Sequence, residues 1–228
     1  MIKIQYESFV KRNYDHFVEG KPLTDEVLQR YIDGCFTDIG RLVPLGKIWI
    51  CVHCLGSGPS KLALNSNYGW GDHERKCKVC GKHTYDVGNF QARSSYVGHT
   101  FEHACQHILA KKFGINSTIT GGKSRLFDLL VKNNIVIETK GGPRYVTNPD
   151  FSESKIDRIG MERSDTEKKA FENATKWRKL FANGHFYILT NAIPRHLWEY
   201  HDDKITAIYN VTKERDMRKF ADELKSLL

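Results

Sequence analysis

Two Cys-x-x-Cys pairs, Cys51-Val52-His53-Cys54 and Cys77-Lys78-Val79-Cys80, limit what this chain can become more than any other feature of it. Twenty-two residues separate them. At that spacing two tight turns each present two thiolates, and four soft sulfurs close a tetrahedron around Zn²⁺. Gly81, directly after the second pair, lets the backbone bend beneath a metal because it carries no Cβ. Buried free thiols would need apolar surroundings, whereas this segment is rich in Gly, Ser, Asn and His, with Gly56-Ser57-Gly58-Pro59-Ser60 an evident loop. His53, His73 and His83 stand near enough in sequence to replace a thiolate. Four protein ligands leave no coordination position open to water or substrate, so the zinc is expected to be structural. The other two cysteines, Cys35 and Cys105, read as ordinary buried thiols.

Around this module the chain has the composition of a folded protein. Of 228 residues 40% are hydrophobic, and 35 Lys and Arg against 27 Asp and Glu give a net charge of +8. Those values exclude an acidic disordered tail and suit a phosphate-rich partner without requiring one. No run of about 18 uncharged apolar residues occurs, and Met1-Ile2-Lys3-Ile4-Gln5 lacks the apolar core of a signal peptide. A soluble, intracellular chain with no membrane partner is expected. Three units are expected: residues 1–50 as an N-terminal helical segment, 51–90 as the zinc-ribbon module, and 91–228 as the main domain.

The main domain has an ordered pattern. Phe101, Ala104, Cys105, Ile108 and Leu109 recur at helical spacing and Gly114 follows, which predicts a helix over residues 98–113. Strand-like runs over 125–131 and 135–140 flank Asn133-Asn134, and Gly141-Gly142-Pro143 ends the second. A long polar loop, 144–163, leads to Ser164-Asp165-Thr166-Glu167, a capping-box pattern opening a helix with Ala170, Ala174, Trp177 and Phe181 on one stripe. Residues 185–190 read as a buried strand, followed by a short strand near 205–209 and a final helix.

The chemistry concentrates at Asp128 and Glu138-Thr139-Lys140. Phosphodiester hydrolysis needs carboxylates to hold a divalent cation and a positive group near the attacking water or the scissile phosphate. Side chains alternate along a strand, so Glu138 and Lys140 share a face, while the Thr139 carbonyl offers a further oxygen. Glu-x-Lys alone carries little, since it occurs six times in this chain. Pro149-Asp150 with Glu167-Lys168-Lys169 fits the literal pattern better, but those last residues fall in a helix's first turn. Only the copy at Glu138 follows a β-branched run, Ile135-Val136-Ile137, which places charge at the end of a buried strand. Parity adds a condition: a strict two-residue turn at Asn133-Asn134 would set Asp128 opposite Thr139, on the wrong face, so an odd-length loop or a bulge is expected.

Asp128, nine residues, then Glu138-Thr139-Lys140 resembles the motif of the PD-(D/E)XK nucleases, with Phe127 where Pro often stands. The order helix, motif-bearing hairpin, helix, strand over residues 98–191 is similar to that family's core. The resemblance implies an α/β fold, restriction-endonuclease-like, with a mixed central sheet flanked by helices beside the small zinc-ribbon module. It implies double-stranded DNA as substrate and a type II restriction endonuclease, acting as a homodimer in a prokaryotic cytoplasm and leaving 5′-phosphate and 3′-hydroxyl ends. Asp128, Glu138 and Thr139 would bind Mg²⁺, and Lys140 would orient the attacking water, help deprotonate it or stabilise the phosphorane. Glu102 matches an auxiliary carboxylate of many relatives, and no small-molecule cofactor is implied.

Arg144, Tyr145, Asn148, Lys155, Arg158 and Arg163 in the polar loop are candidates for DNA contact, because Arg pairs bidentately with guanine, Asn with adenine, and Lys meets phosphate. Tyr68, Trp70, Arg75 and Lys76 of the zinc module form a second candidate surface. Two rival readings stand beside this one. His73, Asn89 and His99 near a zinc module resemble an HNH nuclease, and a noncatalytic zinc-ribbon protein binding nucleic acid would need no active site at all. His99, His103 and His107 share a helical face and read as a polar surface.

Overall fold

The computed structural model describes residues 5–42, 48–50, 63–64, 74–76, 83–86, 90–120, 126–147, 153–198, 200 and 202–228. Helices α1 (Tyr6–Phe17) and α2 (Asp25–Leu42) come first. Thr24 accepts the Val27 amide with its hydroxyl at the start of α2, and Asp25 and Glu26 place negative charge at the positive end of the helix dipole. Leu28, Tyr31, Ile32, Cys35, Phe36 and Ile39 then form one buried stripe.

Four short strands follow, β1 (Ile48–Ile50), β2 (Ala63–Leu64), β3 (Glu74–Lys76) and β4 (His83–Asp86), paired antiparallel in the order β2-β1-β4-β3. The four paired cysteines lie outside the described residues. Strands β1 and β3 end at the residues just before Cys51 and Cys77.

Helix α3 (Phe90–Phe113) begins eight residues earlier than its apolar spacing indicates and ends where Gly114 takes φ +72°, a left-handed cap. Its buried stripe, Phe101, Ala104, Cys105, Ile108 and Leu109, lies against α1 and α2. Tyr31 donates its hydroxyl to the Ala104 carbonyl at 3.0 Å, and Phe36 stacks on Phe101. The face carrying His99, His103 and His107 is no open polar surface: His103 stacks on Tyr6 with centroids 5.3 Å apart, and His107 meets the edge of Tyr14 at 5.0 Å.

The central sheet contains β5 (Thr118–Ile119), β6 (Leu129–Lys132), β7 (Ile135–Lys140), β10 (His185–Thr190) and β11 (Ala207–Asn210), in the order β11-β10-β7-β6-β5. Strand β10 runs parallel to both β7 and β11, whereas β6 pairs antiparallel with β7 on one side and β5 on the other. The sheet is therefore mixed. Both of its faces are covered, which is why β7 and β10 are apolar in succession. On one face Ile135, Ile137, Tyr187 and Leu189 meet α1, α2, α3 and the last helix, α5 (Glu214–Leu227). On the other, Val136, Phe186 and Ile188 meet Ala170, Ala174 and Trp177 of α4 (Ser164–Leu180). Burying each of these large apolar side chains contributes about 1.5–3 kcal/mol.

Two local readings are corrected. Residues 144–163 are not a structureless loop: β8 (Tyr145–Thr147) pairs antiparallel with β9 (Glu153–Lys155), and a 3-10 turn at Gly160–Glu162 follows. The cap of α4 is Arg163, not Ser164, and it makes no side-chain capping bond; Phe181 lies past the helix end and is exposed.

Candidate active site

The hairpin of β6 and β7 positions the acidic residues. Lys132 pairs with Ile135 across a two-residue turn at Asn133-Asn134, but the next pairs are Leu130 with Val136 and Leu129 with Ile137, so Val131 is bulged out of the ladder. The one extra residue satisfies the parity condition. Asp128, just before β6, donates its amide to the Ile137 carbonyl at 3.1 Å, which continues the register of Leu129 with Ile137 and sets Asp128 across from Glu138 with its carboxylate against Thr139. Were Val131 paired within the ladder, Thr139 and not Glu138 would stand across from Asp128.

Burial governs the electrostatics. Glu138 is only 2% exposed, and its Oε1 accepts from Lys140 Nζ and, at 3.1 Å, from Asn173 Nδ2 on α4. Asp128 Oδ2 accepts from the Thr139 amide at 2.7 Å and from its hydroxyl at 2.9 Å. The hydrogen bonds among the described residues thus engage one oxygen of each carboxylate. Desolvation pushes the Glu138 carboxyl up to about 7, against the pull of Lys140, and raises Asp128 for the same reason. Burial alone would lower Lys140, but Glu138 and Asp128 outweigh it and hold the ammonium above its ordinary range. Lys140 is therefore a fixed cation beside two carboxylates that crave positive charge.

Asp128, Thr139 and Lys140 line a cleft of about 480 Å³ at the carboxyl end of β7, together with Glu102, Arg158 and Lys169, while Glu138 lies buried behind Lys140. Glu102 belongs to this group in space as well as in sequence pattern, held by His99 Nδ1 at 3.0 Å, an ion pair that raises the histidine. Arg163 also lines the cleft and pairs with Asp165 at 3.1 Å. Arg144, Tyr145 and Lys155 line a neighbouring groove instead, and Arg144 donates to Gln29. Asn148, His73, Asn89, Tyr68 and Trp70 lie outside the described residues.

Among the described residues no three His, Cys, Asp or Glu side chains cluster closely enough to form an all-protein metal cage. The donor set nonetheless fits Mg²⁺, which is held by one or two carboxylates and keeps much of its water. Lys169 and Asn173 were not legible as site residues. Lys169 belongs to the Glu-x-Lys copy at the start of α4, and no spacing in sequence connects α4 to Glu138. Glu167 of that copy turns elsewhere, to His196 at 3.0 Å.

The far wall is fixed by Gly160, at φ +51°, where a Cβ would come within 2.7 Å of Thr190 Oγ1 and 2.9 Å of the Lys140 carbonyl. Thr190 in turn donates to that carbonyl at 2.6 Å, and Asn191 bridges the amide and carbonyl of Gly142. The segment carrying Arg158 is thereby pinned to the ends of β7 and β10. No helix among the described residues is long and apolar enough to cross a membrane. No protein-family model, no curated protein and no solved structure matches the chain.

Proposed function

We propose that this chain is a Mg²⁺-dependent endonuclease acting on double-stranded DNA. The observation that carries the reading is the bulge at Val131, which brings Asp128 beside Glu138 and Lys140 at a cleft rimmed by Arg158, Arg163 and Lys169. Two buried carboxylates with raised proton affinity and a neighbouring ammonium are costly to fold around, and a divalent cation relieves that cost.

Asp128, Glu138 and the Thr139 carbonyl would hold Mg²⁺, which when bound supplies Lewis-acid stabilisation of charge on the scissile phosphate. Lys140 stays protonated next to its two carboxylates, so its part is to donate a hydrogen bond to the attacking water and to stabilise the phosphorane's charge, not to remove a proton. Attack of water forms a P–O bond and breaks the bond to the 3′-oxygen, which takes up a proton and leaves a 3′-hydroxyl and a 5′-phosphate. Asn173 fixes the Glu138 carboxylate, and Arg158 and Lys169 face the cleft with charges suited to the backbone. Sequence-specific cleavage of the type II restriction kind by a homodimer, with structural Zn²⁺ on Cys51, Cys54, Cys77 and Cys80, completes the proposal.

Plasmid DNA incubated with the chain and Mg²⁺ tests it. Cleavage should fall roughly 100-fold or more in Asp128→Ala, Glu138→Gln and Lys140→Ala, while Ca²⁺ supports binding by all of them. Undiminished cleavage in these variants, with loss in His73→Ala or His99→Ala, would move the chemistry to the histidine set. Binding with no cleavage by the unaltered chain would leave a noncatalytic nucleic-acid-binding protein. Metal analysis of the purified chain should find zinc, depleted by Cys77→Ser.

A further inference from the structure

A second groove, of about 730 Å³, lies on the other side of the β8-β9 hairpin, and Ile156 and Ile159 line both it and the candidate active site. Two of its walls carry large aromatic side chains that the fold leaves in water: Tyr145 is 54% exposed and Trp198 67% exposed. Trp198 is held in place although it is exposed, its indole N–H donating to the Ile193 carbonyl at 3.1 Å. Around them stand Arg144, Lys155, Arg215 and Lys219, with Lys213 paired to Asp25 at 2.9 Å.

Asp157, Glu162 and Asp216 also line the groove, but Glu162 accepts the Ile159 amide and Asp216 the Asn210 amide, so two of the three carboxylates are turned to the backbone. The lining's five cationic side chains outnumber its three carboxylates. Neither aromatic belongs to either buried cluster, so core packing does not account for them.

An exposed ring beside a cluster of cations suits one nucleic-acid conformation. Bases in a duplex are stacked on each other, and their π-faces are closed to a side chain. An unpaired strand offers those faces together with its phosphates, and stacking on aromatic side chains along a basic groove is how single strands are held. The volume agrees, being within the roughly 300–1,000 Å³ of sites that take small ligands and too small to enclose a duplex. We infer that the Tyr145–Trp198 groove binds a short unpaired segment of DNA, its bases stacked on the two rings and its phosphates on Arg144, Lys155, Arg215 and Lys219. The inference rests on the nuclease reading for its substrate. It adds to that substrate a short stretch of strand that comes unpaired beside the cleft, as a duplex opened there supplies.

The test is fluorescence anisotropy of the full chain in Ca²⁺, with a labelled single-stranded oligonucleotide and a blunt duplex of the same length. Trp198→Ala and Tyr145→Ala should each weaken single-strand binding about 5- to 100-fold, and Trp198→Ala should change duplex binding less than twofold. Trp198→Phe should restore most of the loss, because a ring returns. Circular dichroism melts of the variants should match those of the unaltered chain, since both positions are exposed. Single-strand binding unchanged in both alanine variants overturns the inference, as does an equal loss for duplex and single strand. A self-associating chain that Trp198→Ala converts to monomer, with oligonucleotide binding untouched, also overturns it and assigns the groove to a second copy. Plasmid cleavage by the unaltered chain, read in parallel, separates the two proposals: single-strand binding that depends on Trp198 without any cleavage supports the groove and removes the nuclease reading.

Discussion

Glu138 is the residue at which folding and chemistry oppose each other. Its free carboxyl titrates near 4.5, and burial pushes it to about 7 in the fold. Between those values the folded chain binds a proton that the unfolded chain has released, so without a divalent cation the part of the stability that depends on Glu138 is largest below about pH 4.5 and is lost as pH rises through 7. Glu138→Gln removes the ionisation, and should raise stability at pH 8 by on the order of 1–3 kcal/mol while leaving it nearly unchanged at pH 4.5. Urea denaturation at both pH values measures this, and equal shifts at the two would contradict it. A cation competes with the same proton. Mg²⁺ should therefore raise the melting temperature at pH 8 and have little effect at pH 5, and the Mg²⁺ dependence should disappear in Glu138→Gln. Lys140 contributes no step in this window because its carboxylate neighbours keep it charged.

At the scale of elements, the hairpin of β6 and β7 decides whether the site exists, and its register makes an asymmetric demand on the sequence. Val131 is the unpaired residue of the bulge, so deleting it leaves Leu130 opposite Val136, Leu129 opposite Ile137 and Asp128 beside Glu138. Inserting one alanine after Val131 either widens the bulge or flips Leu129, which is fully buried, off the core face and Asp128 away from Glu138. We expect the deletion to keep cleavage within about tenfold. Where the insertion shifts the register it should abolish cleavage and cost about 2–5 kcal/mol, the range for losing a buried leucine, whereas a widened bulge would keep both cleavage and stability close to those of the unaltered chain. Activity assays paired with thermal melts distinguish the two. How far such elements are legible without coordinates depends on how local their cause is. The β-branched run marked β7, and two-residue alternation was enough to require a bulge before any pairing was visible. Strand β10 was legible for the same reason, residue for residue over 185–190. The early start of α3 was not, because the regular three- and four-residue spacing of its apolar positions runs only from Phe101. Nor was the β8-β9 hairpin, which the polar composition of 144–163 conceals. The contact from Asn173 to Glu138 joins residues on separate elements across the sheet face, and no local pattern encodes it.

For the whole molecule, the N-terminal helices and the C-terminal helix lie on one face of the sheet, within one apolar cluster that runs from Phe9 to Leu224. One exposed carboxylate ties them. Helix α5 begins after Lys213, whose side chain cannot accept a hydrogen bond, and its first turn is capped instead by Asp25 from the start of α2. Asp25 Oδ1 accepts the Glu214 amide at 2.8 Å and Oδ2 accepts Lys213 Nζ at 2.9 Å. The same two bonds hold its carboxyl below the usual range, so this contribution is present above about pH 4 and is lost as pH falls through the depressed value. Because Asp25 is half in water, its worth is that of a cap more than of an ion pair, about 1 kcal/mol or less. Asp25→Ala should lower the melting temperature by about 2–4 °C at pH 7, the shift that 1 kcal/mol gives in a domain of this size. The deficit should shrink as pH falls through that depressed value and the unaltered carboxyl takes up its proton. If the helices at the two ends of the chain share one core, the variant must still unfold in a single transition by circular dichroism and by tryptophan fluorescence together. A separate early transition in Asp25→Ala would show that residues 5–42 fold apart from the sheet.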